Sequence, residues 1–79
     1  MAPHQFSSGD AIADRRADYA RMLAESADHA AAAELMEQAL ELTPSWAAGW
    51  VQLGDYCDKA GQREKAITAY ETVDRLDPE

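Results

Sequence analysis

The chain has a single cysteine, Cys57, so it cannot close an internal disulfide, and it has no Cys/His cluster of the kind that holds a structural metal. It has little positive charge: seven basic residues against fifteen acidic ones give a formal net charge of -8, which opposes binding to phosphate backbones and to anionic membrane surfaces. No apolar run approaches the roughly 20 residues of a membrane span, and the N-terminus lacks the basic-then-apolar pattern of a secretion signal. A soluble protein in a reducing, cytoplasmic setting is the default. β-Branched residues are few and scattered, which excludes a sheet. Large apolar residues are also scarce. Of the 79 residues 47% are hydrophobic, but 17 are alanine, too thin a supply for a thick core and too short a chain for two domains.

What the chain does have is helix-forming residues, mainly Ala, Leu, Glu, Gln, Arg and Met. Residues 1–8, with Pro3, Ser7 and Ser8 and no periodicity, read as a flexible lead-in in which His4 and Phe6 are disordered. A helical domain then covers 9–79. Its first helix is predicted over about 10–25, capped by Ser7 or Ser8, with a stripe of Ile12, Tyr19, Met22 and Leu23 and with Ala13, Ala17 and Ala20 allowing close approach. After a break at Ser26-Ala27-Asp28, Asp28 caps a second helix over about 29–41 that carries Leu35, Met36, Ala39 and Leu40. Thr43-Pro44 ends it, and Ser45 caps a third over about 46–60, with Trp50, Val51, Leu53, Tyr56 and Cys57. Gly61 closes that helix by taking a left-handed conformation. A fourth, over about 63–76, carries Ala66, Ile67, Tyr70, Val73 and Leu76 and stops at Asp77-Pro78.

The chain matches itself at an offset of 34, pairing Pro44 with Pro78, Leu42 with Leu76, Glu37 with Glu71, Ala32 with Ala66 and Ala13 with Ala47. Ala20 faces Gly54, Ala27 faces Gly61, Met36 faces Tyr70 and Ala39 faces Val73, each keeping size class or apolar character. Within the second copy Trp50, Leu53, Gly54, Ala66, Tyr70 and Pro78 stand at the spacings W-x2-L-G, A-x3-aromatic and terminal Pro. That pattern resembles the tetratricopeptide repeat, with Cys57 in place of the usual Tyr. The first copy is degenerate at Arg16, Tyr19, Ala20 and Leu23 but recovers the pattern at Ala32, Met36, Ala39 and Pro44. The resemblance implies an all-α fold of two antiparallel helix–turn–helix units, at about 13–46 and 47–79, stacked as a short right-handed solenoid. Small residues such as Ala20, Gly54, Ala32 and Ala66 would let paired helices approach, so a bulky residue at Gly54 should cost roughly 1–3 kcal/mol.

The run Ser8–Ala20 followed by Ala31–Leu40 also looks like the N-terminal part of bacterial methyltransferases that carry tetratricopeptide repeats. In that family a class I S-adenosylmethionine-dependent domain follows the repeats. The resemblance would make this chain the accessory part of a longer enzyme and assigns it no catalytic residue.

Catalytic readings are weak. His4, His29 and Cys57 sit at spacings that suggest no nucleophile–base arrangement, and Cys57 reads as a small buried hydrophobe with an inert thiol. Asp10, Asp14 and Asp18 recur every four residues and invite a metal reading. A site would need convergent ligands from a second element, and Arg21 can instead pair with Asp18, so a solvated face is the better reading. No metal or cofactor is expected. Asp55 before Lys59 and Glu71 before Arg75 are further pairs at helical spacing. Trp46, one turn before Trp50, either covers the junction between repeats or stands exposed as a partner anchor.

The family resemblance places the binding groove on the first helix of each repeat. Its residues would be Asp14, Ala17, Asp18, Arg21 and Glu25, then Ala48, Val51, Asp55, Asp58 and Lys59, five acidic against two basic. Repeats that clamp the C-terminal carboxylate of heat-shock chaperones use a Lys and an Asn where this chain has Ala17 or Val51 and Arg21 or Asp55, which argues against that ligand. The expected partner is a basic or mixed protein segment, or a following domain of the same polypeptide. Ile67, Tyr70 and Val73 on the last helix form a second candidate surface, with no later helix in the sequence to cover them. Because solenoids usually need three or more repeats, a homodimer through that helix is the competing expectation.

Overall fold

The computed structural model describes residues 7–78, and the lead-in residues His4 and Phe6 lie outside them. Four helices follow one another: α1 (Ala11–Glu25), α2 (His29–Leu42), α3 (Ala47–Lys59) and α4 (Arg63–Leu76). No strand occurs among the described residues. The helices pack as adjacent pairs, α1 on α2 and α3 on α4, with α2 and α3 joining the pairs.

Their ends show why these segments are helical and why they stop. Past α1 the amide of Ala27 donates to the carbonyl of Ala24 at 2.9 Å and that of Asp28 to Leu23 at 2.8 Å, while Ala27 takes φ 66°. Past α3 the same two bonds recur thirty-four residues later, Gly61 to Asp58 at 3.1 Å and Gln62 to Cys57 at 2.8 Å, with Gly61 at φ 80°. Both are left-handed closures that satisfy the last free carbonyls of a helix. The far ends of α2 and α4 also match: Thr43 donates to Ala39 and Asp77 to Val73, and a proline follows each. The offset of 34 thus reappears in the backbone itself.

Two expected helix starts are corrected. Asp10, not Ser7 or Ser8, caps α1, its carboxylate accepting the amides of Ile12 at 2.8 Å and Ala13 at 3.0 Å. Only the residue next to the first turn can reach those amides. At α3 the cap position belongs to Trp46, which makes no side-chain cap, and Ser45 plays no part in it. Asp28 does cap α2, accepting from the amide of Ala31 at 3.4 Å.

The inner face of α1 differs from the expected stripe. Ile12, Tyr19 and Met22 are 59%, 57% and 55% exposed, and the buried residues are Ala13, Ala17 and Ala20, with Leu23 partly covered. Alanines at i, i+4 and i+7 form their own helical stripe and bring α1 close to α2. The core is built the same way throughout, with Ala32, Ala33, Ala39, Ala66 and Ala69 around Met36, Leu40, Trp46, Leu53 and Cys57. Two glycines set the closest approaches. A Cβ on Gly54 would lie 2.7 Å from the Tyr70 ring, and one on Gly49 would lie 2.5 Å from the Trp46 ring and 2.9 Å from Leu40. The first was expected; the second was not.

The paired loop positions give a test with opposite signs. A left-handed alanine costs about 1–2 kcal/mol, offset in part by the greater unfolded freedom of glycine. Gly61→Ala should therefore lower stability by about 0.5–1 kcal/mol and Ala27→Gly should raise it by a similar amount, read from denaturant midpoints. Shifts in the same direction would contradict the shared closure.

Candidate protein-binding surfaces

Between α1 and α3 lies a cleft of about 430 Å³ lined by Asp14, Ala17, Asp18, Arg21, Trp46 and Gln52. It gathers the expected first-repeat groove residues, apart from Glu25, and adds Gln52, which the spacing argument missed. Much of its charge is already engaged. The Asp14 carboxylate accepts from the Ser8 amide at 2.7 Å, the Ser8 hydroxyl at 2.7 Å and the Ser7 hydroxyl at 2.9 Å. These bonds, the backbone one first, hold its pKa below the ordinary value. Arg21 pairs with Asp18 at 3.4 Å, an exposed pair of the expected kind whose energetic worth is small. Asp10 is spent on capping α1. The three aspartates of the stripe thus have three separate partners, and no group of three potential metal ligands comes together among the described residues.

The second-repeat candidates are more dispersed. Val51, Asp55, Asp58 and Lys59 are exposed on α3, outside the lining of this cleft. The expected side-chain pairs are replaced by others: Asp55 accepts from the Tyr70 hydroxyl at 2.5 Å, and Arg75 donates to the Thr72 hydroxyl at 3.2 Å. Trp46 is 7% exposed, packs over Gly49 and lines the cleft together with Asp14, Ala17 and Asp18 of α1, which places it at the junction between repeats. Cys57 is fully buried, and burial pushes its thiol pKa up, keeping it protonated and unreactive.

A larger cleft, about 660 Å³, opens on the side formed by α2, α3 and α4. Leu40, Leu53 and the half-buried Trp50 give it apolar walls, while Glu37, Glu41, Glu64 and Lys65 stand around it. The Trp50 indole N–H donates to the Pro44 carbonyl at 2.8 Å, fixing the ring, and Lys65 reaches Glu37 at 3.7 Å across the gap between α2 and α4. The motif reading assigned Trp50 to packing inside its repeat and missed this cleft. Its rim draws on positions far apart in sequence, so only the offset of 34, which makes α4 the counterpart of α2 across α3, points to it.

On α4, Ile67 is 50% exposed, Tyr70 is also exposed and Val73 is half-buried. No helix among the described residues is long and apolar enough to cross a membrane.

Residues 47–79, which contain α3 and α4, match the family model of the tetratricopeptide repeat. A tetratricopeptide repeat is thus found at 47–79, and the four helices, packed in adjacent pairs, are consistent with an all-α helical repeat of that kind. No curated protein and no solved structure matches the chain.

The Tyr70–Asp55 bond predicts a titration. Donation to the Asp55 carboxylate, aided by burial, pushes the Tyr70 phenol up to about 12. A raised folded-state pKa favours the fold fully below the ordinary value of 10.0, and that contribution is lost as pH rises through about 12. Ultraviolet titration of Asp55→Ala should show one phenol moving down toward its ordinary value, whereas an unchanged curve would remove the assigned bond.

Proposed function

We propose that the chain is a non-catalytic protein-interaction module whose α2/α3/α4 cleft receives a basic, partly apolar segment of a partner protein. A tetratricopeptide repeat over 47–79 supports a role in binding proteins or peptides. The observation that carries the finer reading is the cleft itself, in which a fixed Trp50 ring and two leucines lie beside three glutamates and one lysine. An apolar side chain of the ligand would lose water against Trp50 and Leu53, and neighbouring Lys or Arg residues would meet Glu41 and Glu64. The net charge of -8 would speed the approach of a basic partner and disfavour nucleic acids and anionic membranes. A buried, reduced Cys57 suits a reducing, cytoplasmic compartment. The α1/α3 cleft, with Arg21 and Gln52, offers a smaller polar surface for the same partner.

Two further readings rest on narrower support. The role of accessory N-terminal part to a methyltransferase, with a following domain as partner in the same polypeptide, rests on the sequence resemblance of residues 8–20 and 31–40 alone. Self-association through the last helix is supported by the exposure of Ile67 and Tyr70.

Fluorescence anisotropy with two labelled peptides tests the leading reading. One has a central Leu flanked by Lys and Arg; the other replaces the basic residues with Glu. The basic peptide should bind, more weakly as salt rises, and Glu41→Gln/Glu64→Gln should weaken it several-fold. Equal binding of both peptides, or an unchanged affinity in the double variant, would contradict the proposal.

A further inference from the structure

The offset of 34 relates α1 to α3 and α2 to α4, so the contact made inside the chain between α2 and α3 has a counterpart. That counterpart would be α4 of one molecule meeting α1 of another. Inside the chain, a Cβ on Gly49 would lie 2.9 Å from Leu40, so positions 40 and 49 touch. The Trp50 indole donates to the Pro44 carbonyl at 2.8 Å, so positions 44 and 50 also touch. One period later Leu40 and Pro44 become Asp74 and Pro78; one period earlier Gly49 and Trp50 become Arg15 and Arg16. An apolar contact is thereby replaced by an acid facing a base, and the indole donor by a guanidinium donor facing the same kind of prolyl carbonyl.

The exposed faces agree with that substitution. Ala33, Met36 and Ala39 of α2 are buried, while their counterparts on α4, Ile67, Tyr70 and Val73, are exposed or half-buried. On α1, Ile12, Arg15, Tyr19 and Met22 are all exposed and follow each other at i, i+3, i+7 and i+10, a single stripe that points away from α2. Apolar side chains thus stand on both faces. The charges are opposite: Arg15 and Arg16 on α1 against Glu71 and Asp74 on α4. Arg16 donates to Gln38 at 2.6 Å and retains further N–H groups. Arg75, which replaces Glu41, is a like charge at the edge of the contact and is held by the Thr72 hydroxyl.

We infer that copies of this chain associate head to tail, the α1 outer face of one molecule seated on the α4 outer face of the next in the register that α3 has on α2, with Arg15 paired to Asp74. The inference rests on the self-association reading, not on the peptide cleft, and replaces a symmetric α4-to-α4 contact with a heterologous one. Such a contact does not close on itself, so assembly continues beyond a dimer.

Sedimentation equilibrium of the 79-residue chain over a wide concentration range, with circular dichroism to verify folding, tests this. Arg15 and Asp74 are both exposed, so their substitution leaves the core untouched. The wild-type average mass should rise past that of a dimer. Arg15→Glu and Asp74→Lys should each weaken association tenfold or more, and the Arg15→Glu/Asp74→Lys chain should recover it. A wild-type monomer at every concentration would overturn the inference together with the self-association reading. Association that stops at a dimer and is unchanged by Arg15→Glu would overturn head-to-tail packing alone.

Discussion

Close approach between helices is the constraint on which the rest of this structure depends. With few large apolar side chains, the chain gains burial by bringing backbones together over alanine and glycine, and the bulky residues then fill what remains. Gly49 shows the arrangement most directly: the absent side chain is the space into which the Trp46 ring and Leu40 pack, joining the two helix pairs. Gly54 does the same for Tyr70 within the second pair. Added bulk at either point would move an aromatic ring that also closes a neighbouring contact.

The candidate surfaces follow from the same geometry. Because α2 and α4 each pack on α3 rather than on one another, a gap is left between them, and it becomes a cleft with leucine and tryptophan walls and charged edges. Between α1 and α3 lies a smaller cleft in which Asp14 and Asp18 are already satisfied by serines and Arg21. Acidic charge is therefore distributed unequally in its availability: Glu41 and Glu64 are exposed, while Asp14 is held by three hydrogen bonds.

Features governed by local backbone chemistry were legible in the sequence. Pro44 and Pro78 end helices because they cannot continue them, Gly61 closes one because it tolerates positive φ, and Asp28 sits where a cap is needed. Features that depend on what lies opposite were not. Bulk does not mark the inner face of α1, because the helix approaches α2 through Ala13, Ala17 and Ala20. Ser45 resembled a cap, but burial of Trp46 set where α3 begins. Among the residues expected in the groove, Asp14, Asp18 and Arg21 share a cleft, while Val51, Asp55, Asp58 and Lys59 lie outside it. The larger cleft is not legible in the sequence because Glu37 and Lys65, which meet across it, belong to different repeats.

The burial of Trp46 at the junction is the central claim, and one spectroscopic measurement addresses it. Trp46 and Trp50 are the two tryptophans, so Trp50→Phe leaves Trp46 as the only indole reporter. Its emission should be blue-shifted and poorly quenched by acrylamide, and should move to the red in the same transition that removes the helical dichroism. Native emission resembling that of a free indole, or exposure of Trp46 while helicity persists, would contradict a fold joined through this ring.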